Sequence, residues 1–355
     1  MMRVKWPKGT LFYALIRLAG AGAKRQRPTS FRLSRLLSSG TVPLVSLEKN
    51  AVGRHKRTSA PLQAIHRHRS ADHAHQPLPT SRTMNTHLIG KVCIRYPELP
   101  STNDHALQML EAAQPAGGAA SGPSANAKPT PAEGTVIRAD TQSAGRGQYG
   151  SRWQSAPGQN LLLSVILYPT CLAAGQQFAL SMMAALAVRD AAHWALGPMP
   201  HAQPLLKWPN DLYFGTRKAG GMLIQNAWQG SRLHSSVVGI GLNVNQTDFD
   251  ADLPNPTSLA RVAGHSFDLD SLAERLFECL DQRYAQLRQG HCSALQQEYE
   301  THLLGYRQEM RYRCSDGQEI TGQVLGVSTD GRLRMQVGDG QERLFSLKEV
   351  SPLWD

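Results

Sequence analysis

The chain has 355 residues, of which 38 are Lys or Arg and 27 are Asp or Glu, and its formal net charge is +11. This length allows one large domain and a smaller one. Residues 1–84 contain 16 of the bases and only 2 of the acids, so the remainder, with 22 bases and 25 acids, has a net charge of −3. The overall positive charge therefore gives no reason to expect that the body of the protein binds nucleic acid.

The N-terminal 84 residues are rich in Arg, Ser, His and Pro and have no sustained helical or strand periodicity. This composition predicts a basic, disordered extension. Three interpretations stay open: an inert tail or a translation start at Met84, an organellar transit peptide, and a segment that contacts nucleic acid. The apolar residues 11–19 are interrupted by Arg17 and are too short to span a membrane, so no membrane association is expected.

The five cysteines are odd in number and form no C-x-x-C pair. This pattern argues against a zinc site or a disulfide framework. It predicts a reducing compartment, and we expect the cytoplasm unless residues 1–84 direct the protein to an organelle.

Polar residues mark the first candidate site in the body of the chain. Residues 93–96 favour a strand, and Ser101, Thr102, Asn103 and Asp104 then precede a helix-forming run. A hydroxyl followed by an acid is a normal N-cap pattern. The same groups at a helix N-terminus would also suit a polar ligand, and both interpretations stay open. The following residues 114–133, rich in Ala, Gly, Ser and Pro, predict a low-complexity loop.

A glycine-rich segment follows the next predicted strand, residues 134–138. Residues 145–150 spell G-x-G-x-x-G, but that dinucleotide fingerprint requires a helix to begin at the third glycine. Pro157 and Gly158 prevent such a helix, and the apolar residues 161–167 predict another strand, so we reject a Rossmann fold. Arg146 and Arg152 can pair with an anion, and the adjacent Trp153 offers a flat face for stacking. Such a loop suits a small molecule that bears a phosphate or a carboxylate.

The central part of the chain alternates a core helix with glycine-containing strands. Residues 179–196 have helical apolar spacing. Asn210 and Asp211, after a proline, favour a turn, and a hairpin alone would explain them. Lys218 lies at the start of the next predicted strand, residues 217–224. The strand over 236–245 contains Gly239 and Gly241, and a glycine inside a strand often marks close approach of a ligand to the backbone.

The C-terminal part has a different pattern. Residues 269–287 and 294–304 favour helices. Short alternating segments separated by Ser-Asp-Gly, Thr-Asp-Gly and Gly-Asp-Gly turns then predict a small β-barrel.

Taken together, these motifs resemble those of a biotin–protein ligase, also called a biotin–[acetyl-CoA-carboxylase] ligase. The resemblance covers roughly residues 93–350. It rests on Ser101-Thr102-Asn103, Gln142, Gly145-Arg146-Gly147, Trp153, Lys207 to Asp211, Arg217-Lys218 with two following glycines, and Gly239 to Asn243.

The resemblance implies an α+β fold. It comprises a mixed, largely antiparallel bent sheet with flanking helices, as in class II synthetases, and then an SH3-like β-barrel. The domains expected are the extension 1–84, a biotin- and ATP-binding catalytic domain 85–304 that includes the loop 114–133, and the barrel 305–355. The implied state is a monomer or a homodimer.

The resemblance also implies a two-step reaction. Biotin and ATP, with Mg²⁺, give biotinyl-5′-adenylate, which then acylates a lysine of the biotin carboxyl carrier protein of acetyl-CoA carboxylase or a related carboxylase. The implied catalytic residues are Lys218, Arg146 and Asp211. Those implied to bind biotin are Ser101, Thr102, Asn103, Gln142, Arg146, Gly147, Gln148 and Lys218. Those implied to bind ATP or the adenylate are Trp153, Arg152, Asn210 and Asn243.

Two departures qualify the resemblance. Many members have arginine at the position of Gln148 and another basic residue at that of Ser151, so the loop's charge here depends on Arg146 and Arg152. Some members carry an N-terminal winged helix, which residues 1–84 do not match, so sequence-specific DNA binding is not expected. A lipoate-type ligase, a biotin-sensing regulator without ligase activity and an inactive binding protein are the alternatives.

Overall fold

The computed structural model describes residues 85–113, 129–173, 175–338 and 340–354, and its largest element is a seven-stranded sheet. The strands are β1 (Cys93–Leu99), β2 (Val136–Gln142), β3 (Leu161–Leu167), β4 (Pro204–Lys207), β5 (Asp211–Phe214), β6 (Arg217–Gln229) and β7 (Arg232–Leu242). They lie in the order β1-β2-β3-β7-β6-β5-β4. The pair β1–β2 is parallel and all the other neighbouring pairs are antiparallel.

Helices cover both faces of this sheet. They are α1 (Thr102–Ala112), α2 (Phe178–Leu196), α3 (Leu259–Ala263), α4 (Leu269–Arg288) and α5 (Cys292–Thr301). The core on one face includes α2 and α4, whereas the smaller core on the other face includes α1.

The central strand β3 is buried along its whole length because it lies between these two layers. Its alternate residues face opposite sides. Leu163 and Val165 pack in the larger core and Ile166 in the smaller one. Ser164, the polar exception, faces α1, where its hydroxyl donates to Asn103 Oδ1 and lies at hydrogen-bond distance from the Thr102 hydroxyl.

A second, antiparallel sheet follows α5. Its strands are β8 (Glu309–Cys314), β9 (Glu319–Val327), β10 (Leu333–Val337), β11 (Gln341–Phe345) and β12 (Val350–Pro352), in the order β11-β10-β9-β8-β12. It is attached to the first sheet at several points. Trp208 Nε1 donates to the Gly331 carbonyl at 2.9 Å, and Trp354 stacks on Tyr213 with ring centroids 5.8 Å apart.

The mixed, largely antiparallel sheet with flanking helices is therefore confirmed. The C-terminal strands form an antiparallel sheet, as expected, whereas an SH3-like identity and the domain boundaries stay predictions. The predicted helix 294–304 is Cys292–Thr301. The strands predicted at 217–224 and 236–245 are parts of a longer hairpin that turns at Gly230.

Some predictions lie outside the described residues, namely those for residues 1–84 and for most of the low-complexity loop, 114–128. Within the part of the chain that is described, none of the helices combines the length and the apolar character needed to cross a bilayer.

Candidate active site

A cavity of about 760 Å³ lies where the start of α1, the glycine loop (residues 145–153), the β4–β5 hairpin and strands β6 and β7 meet. Four residues at the start of β12 and in the turn before it complete the wall, namely Leu347, Lys348, Val350 and Ser351. A volume of this size accommodates a small-molecule ligand.

The start of α1 forms one wall of the cavity. Ser101 is the N-cap, and its hydroxyl accepts from the Asp104 N–H at 3.3 Å. The Thr102 N–H donates to Oε1 of Gln142 at 2.7 Å, and the Thr102 hydroxyl oxygen lies 2.8 Å from that of Ser164. The capping interpretation of Ser101 is thus confirmed, and the same cap turns Thr102 and Gln142 toward each other in the cavity wall.

Asn103 is buried, and protein groups satisfy its amide. Its Nδ2 donates to the Leu223 carbonyl at 3.2 Å and to Gln225 Oε1 at 2.9 Å. Its Oδ1 accepts from Ser164 at 2.5 Å. Asn103 therefore joins α1 to β3 and β6, so its first effect on the site is to position the wall.

The glycine loop is a small hairpin at the cavity mouth. Trp153 N–H donates to the Gly145 carbonyl at 3.0 Å, and Gly147 N–H donates to the Ser151 carbonyl at 2.8 Å. The two arms of the hairpin approach closely. A Cβ on Gly145 would lie 2.5 Å from the Trp153 carbonyl oxygen, and one on Gly147 would overlap the Ser151 hydroxyl. These two glycines therefore permit the fold of the loop itself.

Cationic side chains surround the cavity. Arg146, with 53% of its side chain exposed, forms an ion pair with Asp104 at the start of α1. Lys218 Nζ lies 2.6 Å from Oδ1 of Asp211. Burial lowers the pKa of the Lys207 ammonium, while the charge of Asp211 acts in the opposite direction. Among the described residues that line the cavity, Asp211 is the one carboxylate, so the wall favours anions.

The strand glycines line the cavity and also have close protein neighbours. A Cβ on Gly239 would overlap the Asn103 amide, and one on Gly241 would lie 2.5 Å from the Trp153 ring. These positions lack side chains because Asn103 and Trp153 occupy the space above the strands. A ligand in this part of the cavity therefore has both these glycines and those two side chains as neighbours.

Two buried polar atoms beside the cavity have no partner among the described residues, Trp153 Nε1 and Asn243 Oδ1. The Asn243 amide nitrogen donates to the Thr257 carbonyl at 3.0 Å, so within this side chain only the amide oxygen lacks a hydrogen-bond partner. Buried polar atoms without partners are costly. A ligand with complementary donors and acceptors would satisfy them.

Comparison with known proteins agrees with this geometry. Residues 125–243 match the model of the Biotin/lipoate A/B protein ligase family. A biotin–[acetyl-CoA-carboxylase] ligase of Mycobacterium tuberculosis is 32% identical over 206 residues, which cover 58% of this chain and 74% of that protein. The chain belongs to the biotin–protein ligase family.

Other biotin–protein ligases are also similar. The bifunctional ligase/repressor BirA of Bacillus subtilis is 31% identical over 217 residues, so the chain spans 65% of the length of that relative. The biotin protein ligase from Aquifex aeolicus in complex with biotin and ATP has the same fold, with a TM-score of 0.57 and 23% identity. That match covers 75% of this chain and 100% of the other.

The biotin–protein ligase motifs come together in space, with one exception. Asn243 is buried and lies outside the cavity lining. The other residues that the resemblance implied line one cavity, namely Ser101, Thr102, Asn103, Gln142, Arg146, Gly147, Gln148, Arg152, Trp153, Asn210, Asp211 and Lys218.

Four further residues at the site had no assigned role in the sequence. Lys207 belongs to the motif Lys207 to Asp211, and a positive charge close to Asn210 and Asp211 could have indicated that it lies at the site. Ser164 was detectable as the one polar residue in an apolar strand. Tyr149 and Lys348 line the cavity mouth, but nothing in the sequence linked Lys348, in the C-terminal sheet, to the glycine loop.

Proposed function

We propose that this chain catalyses the ATP-dependent biotinylation of a lysine on a biotin carboxyl carrier domain through biotinyl-5′-adenylate. The observation that carries the proposal is that Lys218 and Arg146, from different parts of the chain, share one cavity with the polar start of α1. Family membership supports it. A lipoate-type ligase and a biotin-sensing regulator without ligase activity are the alternatives.

The start of α1 is the proposed biotin side. Gln142 uses its Oε1 on Thr102, which leaves its amide N–H groups for a ligand acceptor such as the ureido carbonyl. Ser101 accepts a hydrogen bond but can still donate its hydroxyl proton. The remaining biotin-binding residues proposed are Thr102, Asn103, Arg146, Gly147, Gln148 and Lys218.

The region around Trp153 is the proposed nucleotide side. An adenine base combines a π-face with ring acceptors and an amino donor. It would complement the Trp153 ring, its unpartnered Nε1 and the unpartnered Asn243 Oδ1. We propose that Trp153, Arg152, Asn210 and Asn243 bind ATP and the adenylate.

Adenylation requires positive charge because a carboxylate must approach a phosphate. In the first step a biotin carboxylate oxygen attacks the α-phosphorus, and pyrophosphate leaves. Lys218 would bridge the carboxylate and the α-phosphate, and Arg146 would add charge where negative charge develops. In the second step the acceptor lysine amine attacks the acyl carbon, and AMP leaves with the electrons of the broken acyl–oxygen bond.

Asp211 would assist by orienting the acceptor lysine or through Mg²⁺. Among the described residues no cluster of three metal-binding side chains occurs. The donor set thus fits Mg²⁺ carried by the ATP phosphates, with at most this carboxylate added, since Mg²⁺ prefers oxygen ligands and keeps several waters. When bound, the ion would neutralise phosphate charge.

The finer features of the molecule also belong to this proposal. The C-terminal sheet would be an SH3-like domain, residues 305–355, that follows a catalytic domain, residues 85–304. The partner would be the carrier protein of acetyl-CoA carboxylase or a related carboxylase, and the enzyme would act in the cytoplasm as a monomer or homodimer. Any DNA binding should be sequence-blind and should weaken steeply with salt.

Incubation of the protein with biotin, ATP, Mg²⁺ and a carrier domain tests the proposal. We expect an avidin-reactive carrier band that requires all components. Modification by lipoate but not by biotin would favour the lipoate-type ligase. Biotin binding without an avidin-reactive band would favour the regulator.

A further inference from the structure

A contact at the cavity mouth plays no part in the chemistry proposed above. Tyr149, from the glycine loop, and Lys348, from the turn before β12, both line the cavity. Nζ of Lys348 lies 4.3 Å from the centroid of the Tyr149 ring, which is a cation–π distance. Within the described residues Lys348 has no carboxylate at ion-pair distance, so the ring contact does not compete with a salt bridge.

The backbone on both sides of this contact is unusual. Tyr149 has φ 54° and Lys348 has φ 66°, and these are two of the four non-glycine residues with positive φ in the described part of the chain. Bulky side chains rarely adopt this left-handed conformation. Such residues concentrate at ligand clamps and switches, where surrounding contacts hold them.

The two partners differ in how firmly they are held. Lys348 precedes β12, which pairs with β8, and its sheet is tied to the large sheet by the bond from Trp208 and by the Trp354–Tyr213 stack. Tyr149 belongs to a small hairpin and has 59% of its surface exposed. Lys348 therefore presents a fixed point against which the tip of the loop can close.

We propose that Tyr149 and Lys348 are positioning residues that hold the glycine loop closed over the acyl-adenylate. The inference rests on the proposed function and adds to it a retention device outside the ligand-binding groups. A biotinyl-adenylate is a mixed anhydride that water hydrolyses, so the site must hold it until the acceptor lysine arrives. A tether between loop and sheet would do so without touching the ligand.

The test is the release rate of preformed, radiolabelled biotinyl-adenylate in a chase experiment. Tyr149→Leu and Lys348→Met should each raise the release rate at least about twofold and at most about thirtyfold, which is the range of a cation–π contact. Tyr149→Phe keeps the ring and should behave like the wild type. Because both single changes break one contact, the double variant should release no faster than the faster single variant.

A matched control exists in the same sheet. Arg343 lies over the Phe345 ring at 5.0 Å but does not line the cavity, so Arg343→Met should leave release unchanged. The rate at which adenylate forms should stay the same in all variants. If Tyr149→Leu fails to fold, the exposed Lys348→Met carries the test, with thermal unfolding as the check.

The outcomes separate this inference from the proposed function. A wild-type chain that forms no adenylate contradicts the proposed function and this inference with it. A wild type that forms adenylate while Lys348→Met and Tyr149→Leu retain it equally well overturns this inference alone. A double variant whose effect is the product of the two single effects would also overturn it, because the residues would then act independently.

Discussion

The start of α1 and the glycine loop both line the same cavity, yet they are built differently. Thr102 and Asn103 are each 4% exposed, and both make hydrogen bonds to strand residues. Arg146 and Tyr149 are more than half exposed and depend on one ion pair and one ring contact. One side is fixed by its neighbours, whereas the other is held loosely.

This difference suits a site that must handle several molecules in turn. Groups that are already buried and hydrogen-bonded lose little freedom when a ligand binds, so the α1 side can select one small molecule at low entropic cost. In the proposed reaction, the loop side would admit a second substrate, close over the intermediate and then expose it to an acceptor. Substitutions at the start of α1 and in the glycine loop should therefore have different effects.

The largest effect should come from Lys218, the cation that β6 contributes to the cavity. Lys218→Met should slow adenylate formation by about 100- to 1,000-fold, because it removes charge stabilisation of the transition state. Biotin-dependent exchange of radiolabelled pyrophosphate into ATP measures this step. Arg217→Met, at the exposed neighbour on β6, is the control and should change little. A loss of less than about tenfold for Lys218→Met would contradict the assigned role.

Replacement of Asn103 tests whether its hydrogen bonds hold the start of α1 in place. Asn103→Ala should lower the free energy of unfolding by about 2 to 3 kcal/mol, because Ser164 and Gln225 lose their buried partner. Urea denaturation measures the change. Gln108→Ala, at an exposed position on the same helix, should be nearly neutral. Equal shifts for the two variants would mean that the wall does not depend on this amide.

Replacement of Arg146 tests whether the exposed glycine loop retains the adenylate. Arg146→Ala should speed release of the adenylate by about 10- to 100-fold, the worth of a charge-assisted hydrogen bond, and should barely change stability. Gln148→Arg should tighten retention by a smaller factor. Asp104→Asn removes the ion pair with Arg146 but keeps the arginine for the ligand. It should change the release rate of the adenylate by less than about fivefold. Equal release from wild type and Arg146→Ala would show that Arg146 does not hold the intermediate.

The smallest effect should come from removing residues 1–83. A chain that begins at Met84 should keep adenylation and ligation, because the motifs all follow residue 90. It also keeps the anchor at Asp281, whose carboxylate accepts from the N–H groups of His87, Leu88 and Ile89 at 2.7, 2.9 and 2.9 Å. A chain that begins at Gly90 lacks this anchor and should unfold at lower urea. Loss of activity on starting at Met84 would show that the extension takes part in function.

Local patterns were sufficient to predict most of the elements, and the resemblance to biotin–protein ligases indicated most of the residues that line the cavity. Residues 161–167 are apolar without interruption and form the buried β3, and Pro157 and Gly158 correctly excluded a helix after the glycine loop. The same local information could not reveal the close neighbours of Gly239 and Gly241, because only the folded structure brings Asn103 and Trp153 over them. Lys348 stayed undetected for the same reason, since it reaches the cavity through the packing of one sheet on another.

The proposed function requires that this cavity make biotinyl-5′-adenylate and retain it. The most direct measurement is to mix the protein with biotin and ATP labelled at the α-phosphate, with Mg²⁺ but no carrier, and to separate bound from free label by gel filtration. We predict a near-stoichiometric, biotin-dependent adenylate on the wild type and almost none on Lys218→Met. If the wild type carried no bound label, or carried the same amount without biotin, the cavity would not have the proposed function.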